Sequence, residues 1–247
     1  MRRLGPLYPG AVALRQTTAL RWPIGLITAG DDIARSAPWM VAIGAALGLC
    51  GYSVGWVLGG LGAAPALAGV VALAVATALG GGVVELGLAR HADQARVGAG
   101  PVAVILLALL RATALLSTST GLWLGALVLA PAAGRWGALL VQRLDDTRPL
   151  DPTPVGRDLL VGAAPWPVVA AAGAVLGVAA TFAFGWTGVV AVAAAGGAAV
   201  GVAYDARRRE RTVGADAVAT AAAAAELVTL VAAAIAHAAT LSPFLRG

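Results

Sequence analysis

Forty-nine consecutive residues, Ser36 to Val84, contain no Asp, Glu, Lys or Arg, and the 46 residues from Leu159 to Tyr204 contain none either. A helix crosses a bilayer with about 20 apolar residues, so each stretch has room for two crossings and a tight turn. Stretches of this length without a charged face have no water-facing side, and lipid is the solvent they fit. The whole chain agrees: 60% of its residues are hydrophobic and 12% charged, with a mean hydropathy of +0.86. Soluble domains carry about 25% charged residues.

The fold class expected is an all-α integral membrane protein, a polytopic bundle of about seven transmembrane helices. The same count places them near Pro38–Gly59, Ala64–Val84, Pro101–Ser117, Gly121–Val141, Leu159–Ala180, Trp186–Tyr204 and Asp216–Thr240. Residues 1–35 form a cytoplasmic N-terminal segment and 36–247 one transmembrane helical domain. Pro131, Pro165 and Pro167 fall inside the fourth and fifth spans, where a residue without an N–H kinks or interrupts a helix. The glycines at 80–82 and near 196 read as sites of close helix packing, which small residues permit in a bilayer. Cys50 is the only cysteine, so neither a disulfide framework nor a thiolate metal site is expected, and it reads as a small core residue.

Arginines collect in alternate loops: Arg2, Arg3, Arg15, Arg21 and Arg35 before the first span, Arg90 and Arg96 after the second, Arg143, Arg148 and Arg157 after the fourth, and Arg207, Arg208, Arg209 and Arg211 after the sixth. The positive-inside rule makes those loops and the N-terminus cytoplasmic and the C-terminus external. Trp56, Trp123 and Trp186 then fall near the opposite face, where amphipathic rings sit. The formal net charge of +5 is no nucleic-acid signature, because the arginines flank membrane spans and face anionic lipid headgroups. Met1–Gln16, broken by Pro6 and Pro9, lacks the apolar core of a signal peptide.

Phosphate-binding glycine loops, zinc-binding histidine pairs and serine elbows are absent from the sequence. Chemistry must come from the polar loops and from the charges inside the spans: Arg111, Arg135 and Glu226, with Asp216 at the mouth of the last helix. A charge at mid-depth costs about 3 kcal/mol, so such residues face the bundle interior and pair. Two readings follow, a polar cavity for phosphate and a cation, or an Arg–Glu pair that holds helices together. The polar island of the first half is "GLARHADQARVGAG", Gly87 to Gly100, which reads as a loop between the second and third spans.

Three stretches, in order, carry a family resemblance. "RRRERTVGADAVATAAAAAELVTLVAA" resembles the last block of the adenosylcobinamide-GDP ribazoletransferases, the membrane cobalamin synthases. There an arginine-rich loop leads into T-G-D-x-x-G-A and a helix bearing glutamates. Gly214 and Asp216 match the Gly-Asp, with Ala215 between them. Glu226 matches the second glutamate, and Ala223 stands at the first. "IARSAPWMVAIGAALG" is similar to the family's entry into its first span, with Val41 at the proline. "APAAGRWGALLVQR" is similar to its segment with an intramembrane arginine, here Arg135. The family's D-G-x-A-D-x-x-D then falls on Leu86 to Asp93, with Leu86 and Arg90 at two Asp positions. Its D-S-R-I-G falls on Gln94 to Gly98.

The resemblance implies an enzyme of the bacterial inner membrane that joins adenosylcobinamide-GDP to α-ribazole with release of GMP. It implies Mg²⁺ on Asp93, Asp216 and Glu226, catalytic roles for Asp93, Arg96 and Arg135, and substrate contacts from Arg90, His91, Gly98 and Arg111. Phosphoryl transfer requires that charge on the leaving diphosphate be neutralised, which metal and arginines supply. His91 could also serve as a general base near neutral pH. Two other readings accompany it: a non-catalytic relative that binds a corrinoid or a membrane partner, and a small-molecule transporter.

Overall fold

A computed structural model describes residues 8–19, 35–145, 164–210 and 213–241, and within them the chain is helical, with no strand. A short α1 (Tyr8–Thr17) precedes α2 (Ala37–Gly60), α3 (Pro65–Leu79), α4 (Val83–Ala95), α5 (Gly100–Leu116), α6 (Trp123–Asp145), α7 (Trp166–Phe184), α8 (Trp186–Glu210) and α9 (Ala215–Leu241). Five of these are long and apolar enough to cross a membrane, and α3 with α4, bent at the break between them, makes six if the pair is one span. The apolar α5, at 17 residues, is shorter than these. The chain is thus an all-α, polytopic membrane bundle. Arg2, Arg3, Arg21, Arg148, Arg157, Arg211 and the expected start of the fifth span at Leu159 lie outside the described residues.

The second span differs from its expected form. Instead of one helix over Ala64–Val84, α3 stops at Leu79 and α4 starts at Val83 after a turn of 81°. Gly81 and Gly82 have φ of +70° and +64°, the left-handed region that costs a Cβ-bearing residue most. The triple glycine is therefore a helix break rather than a packing surface. A break at membrane depth must find partners for its backbone within protein. Leu79 C=O accepts the Ala19 N–H at 2.8 Å, so the segment following α1 covers the break.

This bend changes the polar island. It is not a loop: α4 runs to Ala95 and only Arg96–Ala99 turn the chain into α5. Gly87 lies against α9, where a Cβ would come within 2.2 Å of Ala219 Cβ.

Four glycines at helical spacing, Gly44, Gly48, Gly51 and Gly55, give α2 a face without side chains. Gly44 and Gly48 meet α6, while Gly51 and Gly55 meet α3. Small residues let backbones approach, and in lipid that approach drives helix association. Pro131 sits opposite, inside a continuous α6, and has no N–H for the Leu127 carbonyl one turn earlier. That carbonyl is the atom a Gly48 Cβ would strike, at 1.9 Å. Pro165 and Pro167 do not kink a span, because they stand at the N-terminus of α7, where a missing N–H costs nothing. Gly196 does serve close packing, with the Trp136 ring about 3 Å from where its Cβ would be. Cys50 is exposed on the lipid-facing side of α2 rather than in the core. Of the three belt tryptophans, Trp56 and Trp186 are exposed, but Trp123 is buried and its indole N–H donates to Leu115 O at 3.2 Å.

Candidate functional site: a charged quartet at mid-depth

Three helices bring a charge to one level. Arg111 lies 11 residues from the start of α5, Glu226 11 from the start of α9, and Arg135 ten from the end of α6. At 1.5 Å per residue these are depths of about 15–17 Å, half of a hydrocarbon core of about 30 Å. They meet there. Glu226 Oε1 accepts Arg135 Nη1 at 2.9 Å, and Glu226 Oε2 accepts Arg111 Nη2. The other Arg111 nitrogen, Nη1, donates to Oε1 of Glu85 in the first turn of α4.

Glu85 is the member that reading the sequence missed. A signal was available: Arg111 and Arg135 against Glu226 leaves one positive charge uncompensated at mid-depth, and the membrane demands a second acid. The break at Gly80–Gly82 lets α4 begin at this depth and offer that acid. With Glu85 the quartet sums to zero. Its side chains are 4–19% exposed, Glu85 the most and Arg135 the least. Gly134 makes room for it, since a Cβ there would come within 2.4 Å of Glu226 Cγ. The quartet borders a cavity of about 40 Å³ open to the centre of a water, shared with Leu47, Thr77 and Leu127. The buried Nε atoms of Arg111 and Arg135 have no hydrogen-bond partner among the described residues. Such a cavity has room for about three waters, at about 10–15 Å³ each.

The remaining sequence-predicted residues form a second group at the arginine-bearing end. Arg90 and Gln94, one turn apart on α4, face Asp216 on α9 at 4.0 Å and 3.5 Å. Asp93 points elsewhere: its Oδ1 accepts the Gly100 N–H at 2.8 Å and so closes the turn from α4 into α5. Gly98 has φ of +81° within that turn, and Arg96, at the end of α4, is exposed. His91 is half-buried and borders a groove between α4, α8 and α9.

The expected Mg²⁺ ligands are not brought together. Asp216 and Glu226 lie ten residues apart on one continuous helix, about 15 Å along its axis, whereas Mg²⁺ holds its ligands at about 2.0–2.1 Å. Both Glu226 oxygens are taken by guanidinium groups. Among the described residues no three His, Cys, Asp or Glu side chains cluster as a metal site. The residues present do not fit the cation on that ligand set.

Asp93→Ala removes the acceptor for Gly100 N–H and lowers stability by about 1 kcal/mol in detergent, measured by thermal unfolding. The loss is the same with and without Mg²⁺. A larger loss confined to Mg²⁺-containing buffer would return Asp93 to a metal-binding role.

Compared with family models, curated proteins and solved structures, the chain matches none of them.

Proposed function

We propose that the chain is a non-catalytic relative of the membrane ribazoletransferases, which binds a nucleotide-bearing corrinoid at its arginine-bearing end. The ligand class comes from the resemblance of the three collinear stretches. One observation carries the departure from catalysis: each oxygen of Glu226 is held by an arginine, about 15 Å along α9 from Asp216. Arginine here does what a metal would do for a buried carboxylate, so neither oxygen of Glu226 is left to hold Mg²⁺ on a diphosphate. Arg90, with a side chain 63% exposed and only a loose 4.0 Å pairing to Asp216, is the group best placed to meet the ligand's phosphates.

The transfer of α-ribazole with release of GMP is the second reading. The same loose 4.0 Å Arg90–Asp216 pair favours it, because a diphosphate can take the arginine without breaking a close ion pair. Transport has less support. A broken span beside a polar cavity suits it, but among the described residues no second bent span forms the repeat such folds use.

The test gives the purified chain in nanodiscs adenosylcobinamide-GDP, α-ribazole and Mg²⁺, and follows binding and product together. Saturable binding is expected, weakened about tenfold by Arg90→Ala, which equals the loss of one charge-assisted hydrogen bond, with no cobalamin product. Product that disappears in Asp216→Ala would replace this reading with the transferase. Neither binding nor product would overturn both.

A further inference from the structure

A groove of about 510 Å³ runs between α4, α8 and α9, away from the quartet. Its walls change character along its length. Ala198, Gly201 and Val202 of α8 and Ala95 of α4 are apolar or small, while Asp205, Arg209 and His91 border it with polar groups. From Gly201 to Arg209 α8 rises about 12 Å, so the apolar floor lies deeper in the membrane than the arginine. The floor is open: a Cβ on Gly201 would meet nothing within 4 Å. The charged end is the last turn of α8, which carries Arg207, Arg208 and Arg209 where the helix dipole favours cations. Arg209 Nε pairs with Asp205 at 2.9 Å, and the Arg208 guanidinium lies 4.8 Å from the centroid of the exposed Tyr204 ring. Against these three arginines the same stretch of α8 brings two acids, Asp205 and Glu210, so one positive charge is in excess.

We infer that this groove is a binding site for one anionic phospholipid, an acyl chain lying over Gly201 and the headgroup phosphate meeting Arg209 and Arg208. Charge complementarity selects the occupant. An apolar tail joined to an anionic head fits an apolar floor that ends in surplus arginine, and the surrounding bilayer supplies such molecules at high local concentration. A general basic surface would attract anionic lipid without the groove. The groove makes the site stoichiometric and sensitive to shape. The inference is independent of the corrinoid reading, since no ligand residue of that reading is needed here.

The experiment extracts the full chain in mild detergent and adds phosphatidylglycerol or phosphatidylcholine, reading bound lipid by native mass spectrometry and Tm by thermal unfolding. One phosphatidylglycerol per chain is expected to remain and to raise Tm by roughly 3–6 °C at tenfold excess over its Kd. Phosphatidylcholine should do neither. Gly201→Leu fills the floor from a Cβ that meets nothing within 4 Å and should abolish retention, while Arg209→Gln weakens it about tenfold. Equal retention of the two lipids, or undiminished phosphatidylglycerol on Gly201→Leu, would overturn the site. Should Gly201→Leu fail to fold, the comparison of lipids and the Arg209→Gln variant still decide.

Discussion

Glu226→Ala should cost about 3–5 kcal/mol, the largest loss expected of any single change in this chain, because it strands Arg111 and Arg135 at mid-depth with Glu85 alone to face them. Unfolding in detergent or nanodiscs measures it. Two comparisons separate pairing from packing. Glu85→Gln removes an acid that is 19% exposed and has one arginine partner, so its loss should be less than half as large. Replacing Arg111, Arg135, Glu226 and Glu85 together by Met and Gln removes all four charges and should restore most of the stability, since a buried ion network is frequently no better than apolar packing. A loss under about 1 kcal/mol in Glu226→Ala would show that the charges do not depend on one another.

The second large effect lies in the packing of α2 on α6. Gly48→Ala puts a methyl group where the Leu127 carbonyl oxygen stands, 1.9 Å from the new carbon, and neither backbone can yield without moving its helix. Overpacking of a well-filled core costs about 1–3 kcal/mol, and a backbone clash belongs at the upper end of that range. The opposing carbonyl is free to press on α2 because Pro131 cannot donate to it. Pro131→Ala restores an N–H that draws the carbonyl back into α6. Because Pro131→Ala also removes a proline from a helix interior, the test is non-additivity: Pro131→Ala should raise stability more in the Gly48→Ala background than in the wild-type chain. Equal gains in the two backgrounds would show that the carbonyl is not what Gly48 accommodates.

Much of the architecture was legible in the sequence, and the exceptions have physical causes. Charge-free length reports how much chain a bilayer can hold, so the all-α membrane bundle followed from counting, while the expected seven spans stand against five long apolar helices and one bent pair. Glycine is ambiguous in the same setting. It permits both close approach and positive φ, and nothing in "GGG" distinguishes Gly196-like packing from the left-handed turn that Gly81 and Gly82 make. Missing that break made a loop of α4 and hid Glu85, whose depth depends on where α4 begins. Prolines mislead for a related reason: Pro131 stays inside α6 while Pro165 and Pro167 open α7, and their missing N–H groups read alike until the helix ends are known. The pairing of Arg111 and Arg135 with Glu226 was foreseeable, because mid-depth charges must find each other. That Asp93 serves a helix start and Asp216 faces Arg90 depends on a bend that spacing alone does not reveal.

The central claim is that arginines, not a metal, neutralise the carboxylate of Glu226. Mn²⁺ titration of the purified chain, followed by electron paramagnetic resonance, tests it most directly because Mn²⁺ takes the same oxygen ligands as Mg²⁺. The account predicts that the free-ion signal falls no further with the wild-type chain than with Glu226→Gln. One tightly held Mn²⁺ per chain, lost in both Glu226→Gln and Asp216→Ala, would contradict it.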